Sequence, residues 1–173
     1  LVMDFELDEQ QRMVRKSAFQ LAEEHFAEDA FTWEDDHPEG NARILADHDM
    51  LSVSLPEEYG GVGMAPLDTV MVMEGVGRIC PDSANLVRRS SFGPPLVIAE
   101  FGSDSQKERY LPEIAAGERF MAIAMSEPEA GSHTTNLSTS AEADGDGYVV
   151  NGSKAWVSAA TVADTFLTYV RMP

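Results

Sequence analysis

Two stretches of this chain combine hydroxyls, glycines and a tryptophan in a way that could hold a flat, phosphate-bearing ligand. The first is Ala124-Met125-Ser126-Glu127-Pro128-Glu129-Ala130-Gly131-Ser132-His133, which reads as a strand that breaks at Pro128 and turns at Gly131. A glycine followed by a serine lets backbone amides and a hydroxyl approach an anion such as a pyrophosphate. Neither GxGxxG nor GxxxxGK[ST] spacing is present, so a dinucleotide fold and a P-loop are not indicated. On this stretch alone a plain strand-to-loop exit is the better account.

The second is Asn151-Gly152-Ser153-Lys154-Ala155-Trp156-Val157-Ser158. As a strand, 155–158 projects Trp156 and Ser158 to one face and Val157 to the other. An indole beside a hydroxyl can pack on a heteroaromatic ring and hydrogen-bond to its edge, although a strand tryptophan is more often core. Two further motifs carry no chemistry of their own. Leu55-Pro56-Glu57-Glu58-Tyr59-Gly60-Gly61-Val62-Gly63 is a proline-started turn whose glycines permit tight backbone paths. Phe101-Gly102-Ser103-Asp104-Ser105-Gln106-Lys107-Glu108-Arg109-Tyr110-Leu111-Pro112 is a capped helix with an architectural role.

The elements that must position these motifs change character near Gly117. Before it the spacing is helical. A helix opens at Asp8, which with Gln11 forms a capping box, and carries Val14, Ala18, Leu21, Ala22 and His25 on one face. A second helix is predicted over Ala42 to Leu51, and a largely buried one over Leu67 to Ile79, with Leu67, Val70, Met71, Met73 and Val76 on a wide apolar arc. One or two more follow Pro81, and a last one is capped by Ser103 and Gln106. After Gly117 come short alternating runs, Phe120 to Met125, Leu137 to Ala143, Tyr148 to Val150, Ala155 to Ser158 and Thr165 to Arg171, which read as antiparallel β. Asp144-Gly145-Asp146-Gly147 and Asn151-Gly152 are turn signals, the latter suited to a type I′ hairpin. The fold class is therefore α+β: an all-α domain over residues 3–118, then an incomplete antiparallel β-barrel-like domain over 119–173.

Composition narrows the function classes. An apolar fraction of 43% in 173 residues is enough for a packed core. The net charge of −18, from 30 acidic against 12 basic residues, repels phosphate backbones and anionic membranes and argues against nucleic-acid binding. Cys80 stands alone, so no internal disulfide or cysteine-rich metal site is expected. His25, His37 and His48 have no second ligand at helical spacing, and no metal is expected. No apolar run has the length of a membrane span. A reducing, cytoplasmic setting is the expectation.

Taken in order, the LPEEYGGVG loop, the FGSDSQKERYLP helix, the AMSEPEAGS turn and the DGDGYVVNGSKAWVS hairpin resemble the signatures of the acyl-CoA dehydrogenase family. The match runs from the first helix to Arg171. The resemblance implies a flavoprotein oxidoreductase with FAD as cofactor, gripped by Ile123, Met125, Ser126, Gly131, Ser132, Trp156, Val157 and Ser158. By the same resemblance, Ser126 bonds the pyrimidine side of the isoalloxazine, Gly131 and Ser132 approach the pyrophosphate, and Ser132 also helps hold the acyl-CoA substrate. Trp156 packs on the ring, and Ser158 donates near N5 and O4. The implied reaction is α,β-dehydrogenation of an acyl-CoA thioester to a trans-2-enoyl-CoA, as in the β-oxidation of fatty acids, with electron-transfer flavoprotein or oxygen taking the electrons and a homo-oligomer, such as a homotetramer, as the assembly.

The sequence departs from the family pattern at several places. Serine stands at 126 and 158 where threonine is frequent, which keeps the hydroxyl. His133 stands where aspartate is common, Ala159 where asparagine is common, and Ile123 replaces a frequent aromatic residue. The family's C-terminal helical bundle, which brings the catalytic base, has no counterpart in these residues, so no catalytic residue is assigned and the chain by itself is expected to be inactive. A non-catalytic half-length subunit of a heteromeric dehydrogenase, or a same-fold acyl-CoA oxidase or flavin monooxygenase, fits the same motifs, because they concern the flavin and not the acyl group.

Overall fold

The computed structural model describes residues 6–31 and 38–172. Trp33, expected to anchor the acidic link after the first helix, and His37 lie outside them. The chain forms two compact units that divide between Phe120 and Met121.

The helical unit contains α1 (Glu9–His25), α2 (Glu39–Asp47), a 3₁₀ turn (Glu57–Tyr59), α3 (Pro66–Gly77), α4 (Pro81–Ser91), α5 (Pro94–Phe101) and α6 (Asp104–Ala115). Local sequence explains where these begin. In the Asp8 box, Gln11 N donates to Asp8 Oδ1 at 2.8 Å and Asp8 N to Gln11 Oε1 at 3.1 Å. The Ser103 box repeats this, with Ser103 N donating to Gln106 Oε1 at 2.9 Å. Prolines open α3, α4 and α5, where the missing N–H costs nothing and the fixed φ suits the first turn.

The core gathers Ala18, Leu21 and Ala22 from α1 with Phe26 just beyond it, Leu45 from α2, Val72 and Val76 from α3 and Leu86 and Val87 from α4, with Leu51 and Val53 from the loop after α2. Gly75 lets α1 and α3 touch backbone to backbone: a Cβ there would lie 2.5 Å from the Arg15 carbonyl and 2.8 Å from the Ala18 methyl. The glycine-rich loop folds onto this core through Met64 N to Val53 O at 3.0 Å and Gly63 N to Leu55 O at 2.8 Å. Two expectations change. The helix read over Ala42 to Leu51 ends at Asp47, leaving Leu51 buried in the loop beyond it. Helix α3 buries Met71, Val72 and Val76 against α1 and α4, yet Leu67 and Val70 are exposed, because its apolar arc is wider than those two neighbours cover.

The β unit contains β1 (Met121–Ala124), a 3₁₀ turn (Thr134–Asn136), β2 (Ser140–Asp144), β3 (Gly147–Asn151) and β4 (Thr165–Thr168). Strands β2 and β3 form the expected antiparallel hairpin, with Ser140 opposite Asn151 and Asp144 opposite Gly147. Its turn is Gly145-Asp146, with Gly145 at φ 59°. Strands β1 and β4 pair in parallel, Met121 with Thr165 through Ala124 with Thr168, and not antiparallel as the alternation suggested. The forty residues between them make the crossover that a parallel pair needs. Beyond β4, Arg171 N donates to Thr139 O at 2.8 Å and its carbonyl accepts from Ala141 N at 2.9 Å, which ties the segment after β4 to the hairpin. Among the described residues the strands form two separate two-stranded sheets and no closed barrel.

Two further readings fail here. Residues 152–157 form no strand, so the alternation argument for Trp156 and Ser158 does not hold. Asn151-Gly152 is not a hairpin turn: Asn151 is the last rung of β3, and Gly152, at φ 153°, packs on Thr139. A Cβ on Gly152 would lie 2.6 Å from both Cα and Cβ of Thr139, so close packing is the reason for glycine at this position.

Candidate functional site

Strand β1 sends the first site segment outward. Ala122 and Ala124 are buried while Ile123 between them is exposed, and Met125 and Ser126 follow half-buried. The chain then closes a tight turn, Glu127 N to Ala130 O at 3.0 Å and Ala130 N to Glu127 O at 3.1 Å, with Pro128 and Glu129 exposed at its tip. Gly131 and Ser132 continue on an exposed surface that runs to Asn136. A Cβ on Gly131 would meet nothing within 4 Å, so the protein itself leaves the approach to this backbone open.

The second segment lies beside the first. Ala155 N donates to Ser126 O at 2.9 Å, which brings Ser126 within one residue of Trp156 across the pair. Trp156 adopts φ 59°, a left-handed conformation that costs an L residue on the order of 1–2 kcal/mol, and its side chain is 90% exposed. Ala159 is also left-handed, at φ 60°, so two such residues bracket Val157 and Ser158. Val157 is half-buried and Ser158 exposed, and Ala160 N to Val157 O at 3.3 Å begins the turn that follows. The structure therefore brings Ser126, Trp156, Val157 and Ser158 into one neighbourhood of the β unit, with Ile123 and Met125 leading into it and Gly131 and Ser132 on the loop that leaves it.

What binds the two segments was not read from the sequence. Glu127 is buried, and its carboxylate accepts from Lys154 Nζ at 2.8 Å, Thr139 N at 2.9 Å, and Ser138 N and Oγ at 2.6 Å each. Lys154 Nζ also donates to the Met125 carbonyl at 3.0 Å. The Lys154 ammonium, then the hydrogen bonds from Ser138 and Thr139, hold the Glu127 carboxyl far below the usual carboxylate range, against the opposing effect of burial. A signal was available: Lys154 is one of three lysines in a strongly acidic chain, and it stands in an otherwise uncharged run.

A separate cavity of about 660 Å³ opens in the helical unit between α2, the Glu57–Tyr59 turn and α6, lined by Arg43, Asp47, Glu58, Tyr59 and Glu118 among others. None of the expected site residues lines it. Burial, then Glu58, Asp104 and Glu108, raise the Tyr59 phenol. Among the described residues no group of three or more acidic, histidine or cysteine side chains could hold a metal ion, and no helix is long and apolar enough to cross a membrane.

Comparison with known proteins identifies the scaffold. Residues 8–118 match the acyl-CoA dehydrogenase N-terminal domain, and residues 122–173 match the acyl-CoA dehydrogenase middle domain. The chain belongs to the acyl-CoA dehydrogenase family. It is 33% identical over 169 residues to mitochondrial isovaleryl-CoA dehydrogenase of Bos taurus, covering 95% of this chain and 40% of that one. It is 32% identical over 169 residues to 3-sulfinopropanoyl-CoA desulfinase of Paraburkholderia xenovorans, covering 96% of this chain and 43% of that protein. Among solved structures, an acyl-CoA dehydrogenase complexed with FAD from Bacillus anthracis superposes with a TM-score of 0.81 at 25% identity, covering 99% of this chain and 30% of that one. The chain thus spans about two fifths of the length of the curated relatives it matches.

Proposed function

We propose that this chain binds FAD on its β unit and serves the α,β-dehydrogenation of an acyl-CoA thioester to a trans-2-enoyl-CoA. The observation that carries the reading is Trp156. A large aromatic side chain held at φ 59° is left 90% exposed by these residues, as suits a surface kept ready for a ligand. The donor set around it fits an isoalloxazine and its pyrophosphate: hydroxyls at Ser126, Ser132 and Ser158, and an unobstructed backbone at Gly131. Family membership, and a relative solved with FAD, support the same cofactor.

In this reading Trp156 packs on the ring, Ser126 bonds its pyrimidine side, Ile123, Met125 and Val157 contribute contacts from the adjoining backbone, and Ser158 donates to the reactive edge. Gly131 and Ser132 meet the pyrophosphate, with the Ser132 hydroxyl shared with the acyl-CoA. When bound, FAD accepts the hydride from the substrate β-carbon, while the residues of this chain bind and orient. The carboxylate base that takes the α-proton belongs to none of these positions and is proposed to come from the family's C-terminal helical domain. Electron-transfer flavoprotein as acceptor, a homotetramer as assembly, a place in β-oxidation and a cytoplasmic setting complete the proposal. A different reaction on a CoA thioester is the second reading, favoured by the near-equal identity to a desulfinase and a dehydrogenase.

The test is to replace Trp156 and Ser158 by alanine in the full-length natural protein and measure bound FAD and its visible absorbance. We expect flavin content to fall, with the remaining flavin spectrally altered. Unchanged flavin content and turnover would sink the assignment.

A further inference from the structure

We propose that the Glu127–Lys154 ion pair is a positioning device that holds Trp156 in its strained, outward conformation and sets Ser126 beside it; the role this serves rests on the flavin reading above.

A residue at φ 59° persists only where its surroundings over-determine it. Immediately before Trp156 the chain is anchored three times. Lys154 Nζ reaches Glu127 Oε1 at 2.8 Å and the Met125 carbonyl at 3.0 Å, and Ala155 N reaches Ser126 O at 2.9 Å. Immediately after it, Ala160 N closes a turn on Val157 O at 3.3 Å. Residues 152–157 have no strand or helix to fix them, so these contacts supply the constraint that regular structure would otherwise provide.

The carboxylate extends the anchoring to a third segment. Through Ser138 and Thr139 it grips the chain just before β2, so the exposed run from Gly131 to Asn136 is a loop fastened at both ends to Glu127. Every expected cofactor contact lies within five residues of Glu127 or Lys154. An apolar pair of similar size could stabilise the unit as well or better. It could not fix directions, as four donors converging on one carboxylate do. Glutamine at 127 cannot take over, since all four partners donate and one end of its amide would also donate.

The experiment uses the full-length natural protein with E127Q, K154M, K154R and the neutral double variant E127Q/K154M, in which no charge is left buried alone. FAD affinity of the apo-protein and visible circular dichroism of bound FAD report the cofactor surface. Fluorescence anisotropy of Trp156, in a background where Trp33 and every tryptophan outside these 173 residues are replaced by phenylalanine, reports the segment without cofactor. We expect E127Q, K154M and the double variant to bind FAD about tenfold or more weakly, as misplacement on the scale of 1 Å can produce, with altered flavin dichroism and lower Trp156 anisotropy. K154R, which keeps the charge and can reach both acceptors, recovers most of the loss. Variants that melt earlier yet keep wild-type FAD affinity and anisotropy would show the pair to be structural only and overturn the inference. If the wild type takes up no FAD, the flavin reading fails, and the anisotropy alone decides the role of the pair.

Discussion

In the helical unit Phe26, Leu45, Leu51 and Val76 are at most 1% exposed, whereas on β3 Tyr148, Val149 and Val150 are 61%, 46% and 53% exposed. The buried apolar side chains of the β unit are mostly small, Ala122, Ala124, Ala130 and Ala141, and among them sits a charged one, Glu127. The helical unit thus coheres by apolar area removed from water, which is non-directional. The β unit relies on a few directed bonds around one carboxylate. Directed bonds suit the unit whose residues are proposed to meet a flat ligand at fixed angles, and non-directional burial suits a scaffold.

The largest effect should therefore come from the helical core. Phe26→Ala empties a fully buried site at the end of α1 and is expected to cost about 3–5 kcal/mol. Val149→Ala, removing a half-exposed side chain from the hairpin, is expected to stay within about 1 kcal/mol. Urea unfolding of both variants measures the contrast. Comparable losses would mean that the hairpin is as deeply packed in solution as the helices are.

The same division explains what could be read from the sequence. Helical periodicity and the Asp8 and Ser103 boxes are local, and α1, α3 and α6 appear where they place them, to within a few residues at their ends. The hairpin is local too, and its Asp144-to-Gly147 turn is correctly signalled. What could not be read is long-range. The parallel pairing of β1 with β4 joins segments forty residues apart, and no local pattern encodes it. At the site, the motif residues were legible as types, but the conformation that aims them was not. Trp156 and Ser158 alternate like strand residues, while the anchors at Lys154 and Ala155 and the turn after Val157 override that preference. Glu127 lay in plain view as an acid at a strand exit, with nothing local to mark it as buried.

Acid should sharpen the comparison next. Glu127 titrates in the folded β unit far below its ordinary value of 4.5, so it binds a proton more readily when unfolded. Its stabilising contribution is complete above that ordinary value and is lost as pH falls below it towards the folded value. Melting temperatures of the wild type and E127Q, followed from about pH 7 to about pH 3, should differ most at neutral pH and converge on acidification. A gap that stays constant across this range would mean that Glu127 is not held ionised by Lys154, and the β unit would lose its distinguishing element.

The smallest expected effect concerns the backbone at Trp156 itself. Its side chain is 90% exposed, so Trp156→Ala removes little buried surface and should leave unfolding free energy within about 0.5 kcal/mol of the wild type. Trp156→Gly differs from Trp156→Ala in one respect that matters: glycine occupies φ 59° without the penalty an L side chain meets there. After allowance for glycine's greater freedom in the unfolded chain, the glycine variant should be the more stable of the two by about 0.5–1 kcal/mol. Both should lose flavin alike, since neither presents an indole. If alanine and glycine prove equally stable, the left-handed conformation is not imposed on this residue by its anchors, and the outward indole must owe its position to something other than the contacts at Lys154 and Ala155.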